Sequence, residues 1–246
     1  MPHILPPELR DMVYDYVLGP ATEQHIRPTR RGARRRQIDE MTRDIVPHPN
    51  ERIWMIGYND IGIRGFDWGR QDILQGIVAR ELTEQWYQRH PFLFYAEELY
   101  LLSDFLDRAF ALRIKNLRNF IKDIKIQIWD EDKPALNTLS SDLQCLKEVK
   151  NKDLKLSFDL WPTDEKNTER ETLRLFLRLL NTAVDQLRGY GFHRIDVSWM
   201  RPQQDITCLF NLGDEHFEVV LAQIELGFFG ARSTFDIIEH LVAWCE

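Results

Sequence analysis

The stretch Asp123-Ile124-Lys125-Ile126-Gln127-Ile128-Trp129, DIKIQIW, alternates between apolar and mostly polar side chains. A period of two places the three isoleucines on one face of a strand and Lys125, Gln127 and Trp129 on the other. Thirty residues on, Asp153-Leu154-Lys155-Leu156-Ser157-Phe158-Asp159-Leu160-Trp161 repeats the pattern, and so does Arg194-Ile195-Asp196-Val197-Ser198-Trp199-Met200. Between the first two lies a helical stripe of Leu136, Leu139, Leu143 and Leu146. Between the second and third runs a longer one, Leu173, Phe176, Leu177, Leu180, Ala183, Val184 and Leu187. Thr168 with Glu171 forms a capping box before the longer helix, and Gly189 or Gly191 supplies its stop.

Strand, helix, strand, helix, strand predicts parallel neighbours joined by right-handed crossovers. A sheet covered on both faces needs continuously apolar strands. These alternate, so the reading is an α/β chain whose mainly parallel sheet carries helices on one face only. It resembles an irregular leucine-rich-repeat arc, and the weak internal repeat agrees. A compact α+β sheet with a merely solvated second face fits the same pattern. On either reading Lys125, Gln127, Trp129, Lys155, Ser157, Asp159, Trp161, Asp196 and Ser198 share the uncovered face. Two tryptophans among charges make it a candidate partner-binding surface, since Trp is favoured at binding hot spots.

Towards the C-terminus the periodicity is ambiguous. Residues 215–227 fit a strand through Phe217, Val219 and Leu221, and equally a helix through Phe217, Val220, Leu221 and Ile224. Ser233 opens a last helix with Ile237, Ile238, Leu241 and Val242 inward. Upstream, a helix is expected over Gln71–Gln88 with Leu74, Val78, Leu82 and Trp86 in line, stopped at His90-Pro91. Phe92 to Leu102 reads as one extended strand or two short ones, and Ser103 as the cap of a helix burying Phe105, Leu106, Ala109 and Phe110. Arg52 to Phe66 suggests a hairpin around Asn59-Asp60.

The chain opens with a self-contained helix, LPPELRDMVYDYVLGP, from Leu5 to Pro20. Pro6 and Pro7 suit a first turn. Leu9, Met12, Val13, Tyr16 and Val17 share one face, and Gly19-Pro20 ends the helix. Periodicity alone favours this stripe packing against the chain's own core. Leu5-Pro6-Pro7-Glu8-Leu9-Arg10, then Met12-Val13-Tyr14 and Tyr16-Val17-Leu18, resembles the opening helix of the F-box-like proteins of filamentous fungi. Arg80, Glu84 and Leu93-Phe94-Tyr95 are similar to later positions of that pattern, so the resemblance covers residues 5–102, tightly over the first fourteen. It implies an N-terminal F-box-like region (1–102) ahead of an irregular α/β region (103–246), or one continuous domain. It also implies that Leu5, Pro6, Leu9, Met12, Val13, Tyr16 and Val17 dock a Skp-type adaptor of a cullin ubiquitin ligase, with the opening helix packed on helix 71–88.

Residues 20–50 are polar and interrupted by prolines, and read as a long loop. It holds Arg27, Arg30, Arg31, Arg34, Arg35 and Arg36. The net charge is −7, and without these six arginines the chain carries 26 basic against 39 acidic residues. A basic cluster on an acidic body suits a nuclear-import signal or phosphate contacts with nucleic acid, and equally a solvated insertion.

Composition excludes more than it assigns. At 43% hydrophobic and 29% charged over 246 residues, the chain can bury a core without staples. Cys145, Cys208 and Cys245 are odd in number and far apart, which suits a reducing compartment and no zinc site. No apolar run resembles a signal peptide or a membrane span, so the expectation is an intracellular protein, nuclear or cytoplasmic. There is no phosphate loop, nucleophile elbow or HExxH motif. Asp130, Glu131 and Asp132 follow a strand end, where a hard cation could sit, but such a run is also a common solvated turn. The expectation is therefore a non-enzymatic protein-interaction module without a cofactor or metal, with nucleic-acid binding through the arginine loop as the alternative.

Overall fold

The computed structural model describes residues 6–18, 20–21, 23–28, 45–46, 53–57, 77–107, 117–129, 133–161, 170–200, 203–226 and 234–245. The chain divides into two compact units. The first comprises residues 1–93 and 104–123, the second 94–103 and 124–246.

In the first unit α1 (Pro7–Leu18) lies against α2 (Ile77–Arg89). Three strands follow an up-and-back arrangement: β3 (Ile53–Gly57) pairs antiparallel with both β1 (Gln24–Pro28) and β2 (Ile45–Val46). β1 is flanked on its other side by the first residues of β4 (Phe92–Tyr95), in parallel, with Gln24 opposite Phe92. These strands correct the reading of residues 20–50 as a loop. Gln24–Pro28 has little apolar character of its own and becomes a strand through partners, with Ile26 opposite Met55. Arg27 therefore belongs to a strand, while Arg30, Arg31, Arg34, Arg35 and Arg36 lie outside the described residues. The predicted turn at Asn59-Asp60 also lies outside them. The core of this unit is aromatic. Trp86 meets Tyr87 edge-on at 5.0 Å, Tyr87 stacks on Phe92 at 5.6 Å, and Phe92 reaches Phe105 at 5.0 Å.

The extended stretch predicted over 92–102 is shorter than expected. The strand stops at Tyr95, a single 3-10 turn covers Ala96–Glu98, and α3 (Leu101–Asp107) begins before Ser103 rather than at it. Leu101, Leu102, Phe105 and Leu106 are all buried. That is helical spacing, and it outweighs the β-like look of the aromatic run before it. Ala109 and Phe110 lie outside the described residues.

The second unit is the alternating α/β region. β5 (Asp123–Trp129), β6 (Lys155–Trp161), β7 (Ile195–Met200) and β8 (Gln203–Asp205) are consecutive neighbours. β6 and β7 run parallel, with Leu156 opposite Ile195 and Asp159 opposite Ser198, and β8 returns antiparallel. α4 (Lys133–Asp142) with its 3-10 extension Leu143–Glu148 connects β5 to β6, and α5 (Arg170–Gly189) connects β6 to β7. The apolar face of the sheet is closed. Ile124, Ile126, Ile128, Leu156, Phe158, Leu160 and Val197 are wholly buried, and so are Leu177, Leu180, Ala183, Val184 and Leu187 of α5. The fold is thus α/β, with a mainly parallel sheet and its helices on one face.

α5 stops at Gly189, and Gly191 follows with φ +94°, a left-handed conformation that glycine adopts without a Cβ penalty. The ambiguous segment 215–227 resolves as α6 (Asp214–Leu226). Phe217, Val220, Leu221 and Ile224 face inward, Val219 is exposed, and Asp214 and Glu215 favour the positive end of the helix. α7 (Thr234–Cys245) buries Ile237, Ile238 and Leu241.

Candidate interaction site

α1 packs with the side opposite to its apolar stripe. Arg10, Tyr14 and Leu18 recur every four residues and turn towards the unit, Tyr14 and Leu18 being 6% and 3% exposed. Both Arg10 and Tyr14 converge on one carboxylate of α2. Arg10 Nη1 donates to Glu81 Oε1 and Oε2 at 2.7 Å each, and the Tyr14 hydroxyl donates to Oε2 at 2.7 Å. Next to Tyr14 on α1, Asp15 pairs with Arg89. Charge-assisted hydrogen bonds of this kind are short and geometrically specific, so they fix the rotation of α1 about its own axis.

The electrostatics agree with that geometry. The hydrogen bond from Tyr14, with help from Arg10, holds the Glu81 carboxyl below its ordinary range. Burial, reinforced by Glu81, pushes the Tyr14 phenol up to about 12. Both shifts favour an ionised Glu81 accepting from a neutral Tyr14. His90 ends α2 by stacking on Trp86 at 4.9 Å, and its Nδ1 donates to the Trp86 carbonyl at 2.9 Å. Burial holds its pKa below the ordinary value, which favours the neutral imidazole.

With its polar side engaged, α1 presents the stripe outward. Leu9 is 47% exposed, Met12 67%, Val13 46% and Tyr16 91%, and Pro6 is exposed as well. Leu5 lies outside the described residues, as does the side chain of Val17. Four large apolar side chains in one contiguous ridge are unlike the singly scattered apolar residues of an ordinary surface. The sequence placed these residues on one face correctly. The inward direction that periodicity favours is not what the structure has, because Glu81, far away in sequence, supplies better partners for the other side.

The uncovered face of the strands in the second unit carries the residues expected of it. Lys125, Gln127, Trp129, Lys155, Asp159, Trp161, Asp196 and Ser198 are half-buried, and Ser157 is nearly enclosed. Lys155 and Asp196 form an ion pair at 2.8 Å and keep side-chain exposures of 37% and 49%. Trp129 and Trp161 end adjacent strands and stack on one another, with ring centroids 5.4 Å apart and planes 27° from parallel. Sequence reasoning missed Asp205, which β8 sets opposite Ser198; three residues so short and polar carry no strand signal.

Among the described residues no group of three His, Cys, Asp or Glu side chains is placed to hold a metal ion. Asp130, Glu131 and Asp132 lie outside those residues. Cys145 and Cys208 are free thiols, both half-buried, and no described helix is long and apolar enough to cross a membrane. Comparison of the chain with protein-family models, with curated proteins and with solved structures finds no match in any of the three.

Proposed function

We propose that this chain is a non-enzymatic protein-interaction module that docks a Skp-type adaptor through α1 and offers its second sheet face to another protein, as a substrate-recognition subunit of a cullin ubiquitin ligase would. The observation that carries the reading is the orientation of α1. Its apolar ridge is turned outward, although the helix is anchored by Arg10, Tyr14 and Asp15 on its other side. Burying such side chains under a partner contributes about 1 kcal/mol or more apiece. A structural cap would turn them inward. The resemblance of Leu5–Leu18 to the opening helix of fungal F-box-like proteins supplies the identity of the partner.

The experiment is co-purification with a purified Skp-type adaptor. The wild-type chain is expected to retain it, and Leu9→Asp or Val13→Asp to lose it. Failure of the wild-type chain to retain the adaptor removes this function.

A further inference from the structure

The apolar ridge of α1 has two long edges, and they differ in charge. Glu8, Asp11 and Asp15 recur at i, i+3 and i+7, so they form a second stripe, about 10 Å long, beside the ridge. At about 100° per residue the order around the helix runs Asp11, Asp15, Glu8, then Met12, Tyr16, Leu9 and Val13. All three acidic residues are exposed. Asp15 pairs with Arg89 and still keeps 65% of its side chain exposed. Glu8 and Asp11 have no ion-pair partner among the described residues. The other edge, past Val13, comes round to Arg10, the one basic residue of α1, whose Nη1 is already engaged by both oxygens of Glu81. The ridge is therefore bordered by negative charge along one side only.

We infer that α1 docks in an apolar groove of another protein, and that the wall of this groove beside Glu8 and Asp11 carries lysine or arginine. Apolar side chains at i, i+3, i+4 and i+7 are the anchors of a helix laid in a groove. Removing them from water supplies the affinity. The acidic edge supplies the choice of partner, since charge across an interface selects more than it binds. It also fixes the direction of the helix, because turning α1 end to end would move the acidic edge to the other wall. A groove with an acidic wall is rejected, as like charges would then face Glu8 and Asp11. Anionic lipid is rejected for the same reason. A second copy of this chain is a poor occupant, because two such helices packed antiparallel by their ridges set acidic edge against acidic edge. The inference rests on α1 being a docking helix, as proposed above, and adds the charge of the surface that receives it.

The test uses the full chain and three amphipathic helical peptides. They share one stripe of leucines and carry lysines, glutamines or glutamates along one edge. Binding is read by calorimetry at about 50 mM salt. The lysine peptide is expected to bind about fivefold more tightly than the glutamine peptide, the worth of two exposed ion pairs. The glutamate peptide is expected to bind about fivefold more weakly than the glutamine peptide. Glu8→Gln combined with Asp11→Asn is expected to bring all three to one affinity, and both substitutions change exposed side chains, so the fold is kept. Met12→Gln is expected to weaken every peptide, which places the binding on the ridge. At about 500 mM salt the preference for lysine is expected to vanish while the peptides stay bound. Equal binding of the lysine and glutamate peptides, no binding of the lysine peptide at about 1 mM, or a preference that survives in the Glu8→Gln, Asp11→Asn variant would overturn the inference. So would a dimer of the chain alone at about 50 mM salt that Met12→Gln dissociates. Binding of the lysine peptide without adaptor capture removes the function proposed above and leaves this inference standing. Adaptor capture with equal binding of the three peptides does the reverse.

Discussion

Glu81 accepts from Arg10 and Tyr14 at once, which makes this one carboxylate the anchor of α1. The anchor has a definite pH range. The Tyr14 phenol is raised from 10.0 to about 12 in the folded protein, so its contribution to stability is whole below pH 10 and is lost as pH rises towards 12. Glu81 is shifted the other way, below 4.5. Its contribution is present above that value and is lost as pH falls through the lower, folded pKa. Ultraviolet titration of the tyrosinate is expected to show one phenol ionising last, and Tyr14→Phe to remove that step. The outward residues behave differently. Leu9→Asp and Val13→Asp change side chains that are about half exposed, and such substitutions shift stability by about 0.5 kcal/mol or less. Their urea midpoints are therefore expected to match the wild type even where adaptor capture is lost.

The turn from α5 into β7 depends on Gly191. The nearest atoms to a Cβ there are side-chain carbons of Lys152, at 3.8 Å, so space is not the constraint. The constraint is φ +94°, and Gly191→Ala is expected to cost about 1–2 kcal/mol in urea denaturation. On the sheet's last edge, Thr207 stands in for a strand partner. Its Oγ1 accepts the Val197 N–H at 2.8 Å and donates to the Val197 carbonyl at 3.4 Å. Thr207→Val removes an acceptor from a part-buried amide and is expected to cost about 1–3 kcal/mol by the same measurement. These elements also show what local sequence can convey. DIKIQIW and its two counterparts were legible because one face is buried and the other is not, and a period of two records that directly. α5 was legible for the same reason at period 3.6. Gln24–Pro28 was not, since its strand character comes from Ile53–Gly57 and Phe92, far along the chain. α6 stayed open between helix and strand because Phe217 and Leu221 serve either period. Only the burial of Val220 and Ile224 with Val219 left outside decides it. The site was half legible: its residues could be found, while the rotation of α1 and the row through Asp205 depend on partners no local window contains.

Across the whole molecule, charge and apolar surface are distributed in opposite senses. Six arginines fall within ten residues of a chain that is otherwise strongly acidic, and the sheet face of the second unit mixes lysines and carboxylates with two stacked indoles. The two candidate surfaces therefore call for partners of different character, one by dispersion and dehydration, the other by charge. They respond oppositely to ionic strength, since screening weakens the second and salting-out strengthens the first. A partner lost at high salt belongs to the sheet, and one retained there belongs to the helix. The ridge on α1 has a further practical outcome. A purified sample without its companion carries a greasy strip facing water, so it is expected to linger on a phenyl resin and to grow in scattering mass as sulfate is added. Replacing Met12 and Tyr16 by glutamine should free it from the column and keep it monodisperse, which turns a handling nuisance into a measure of how much of the strip a companion covers.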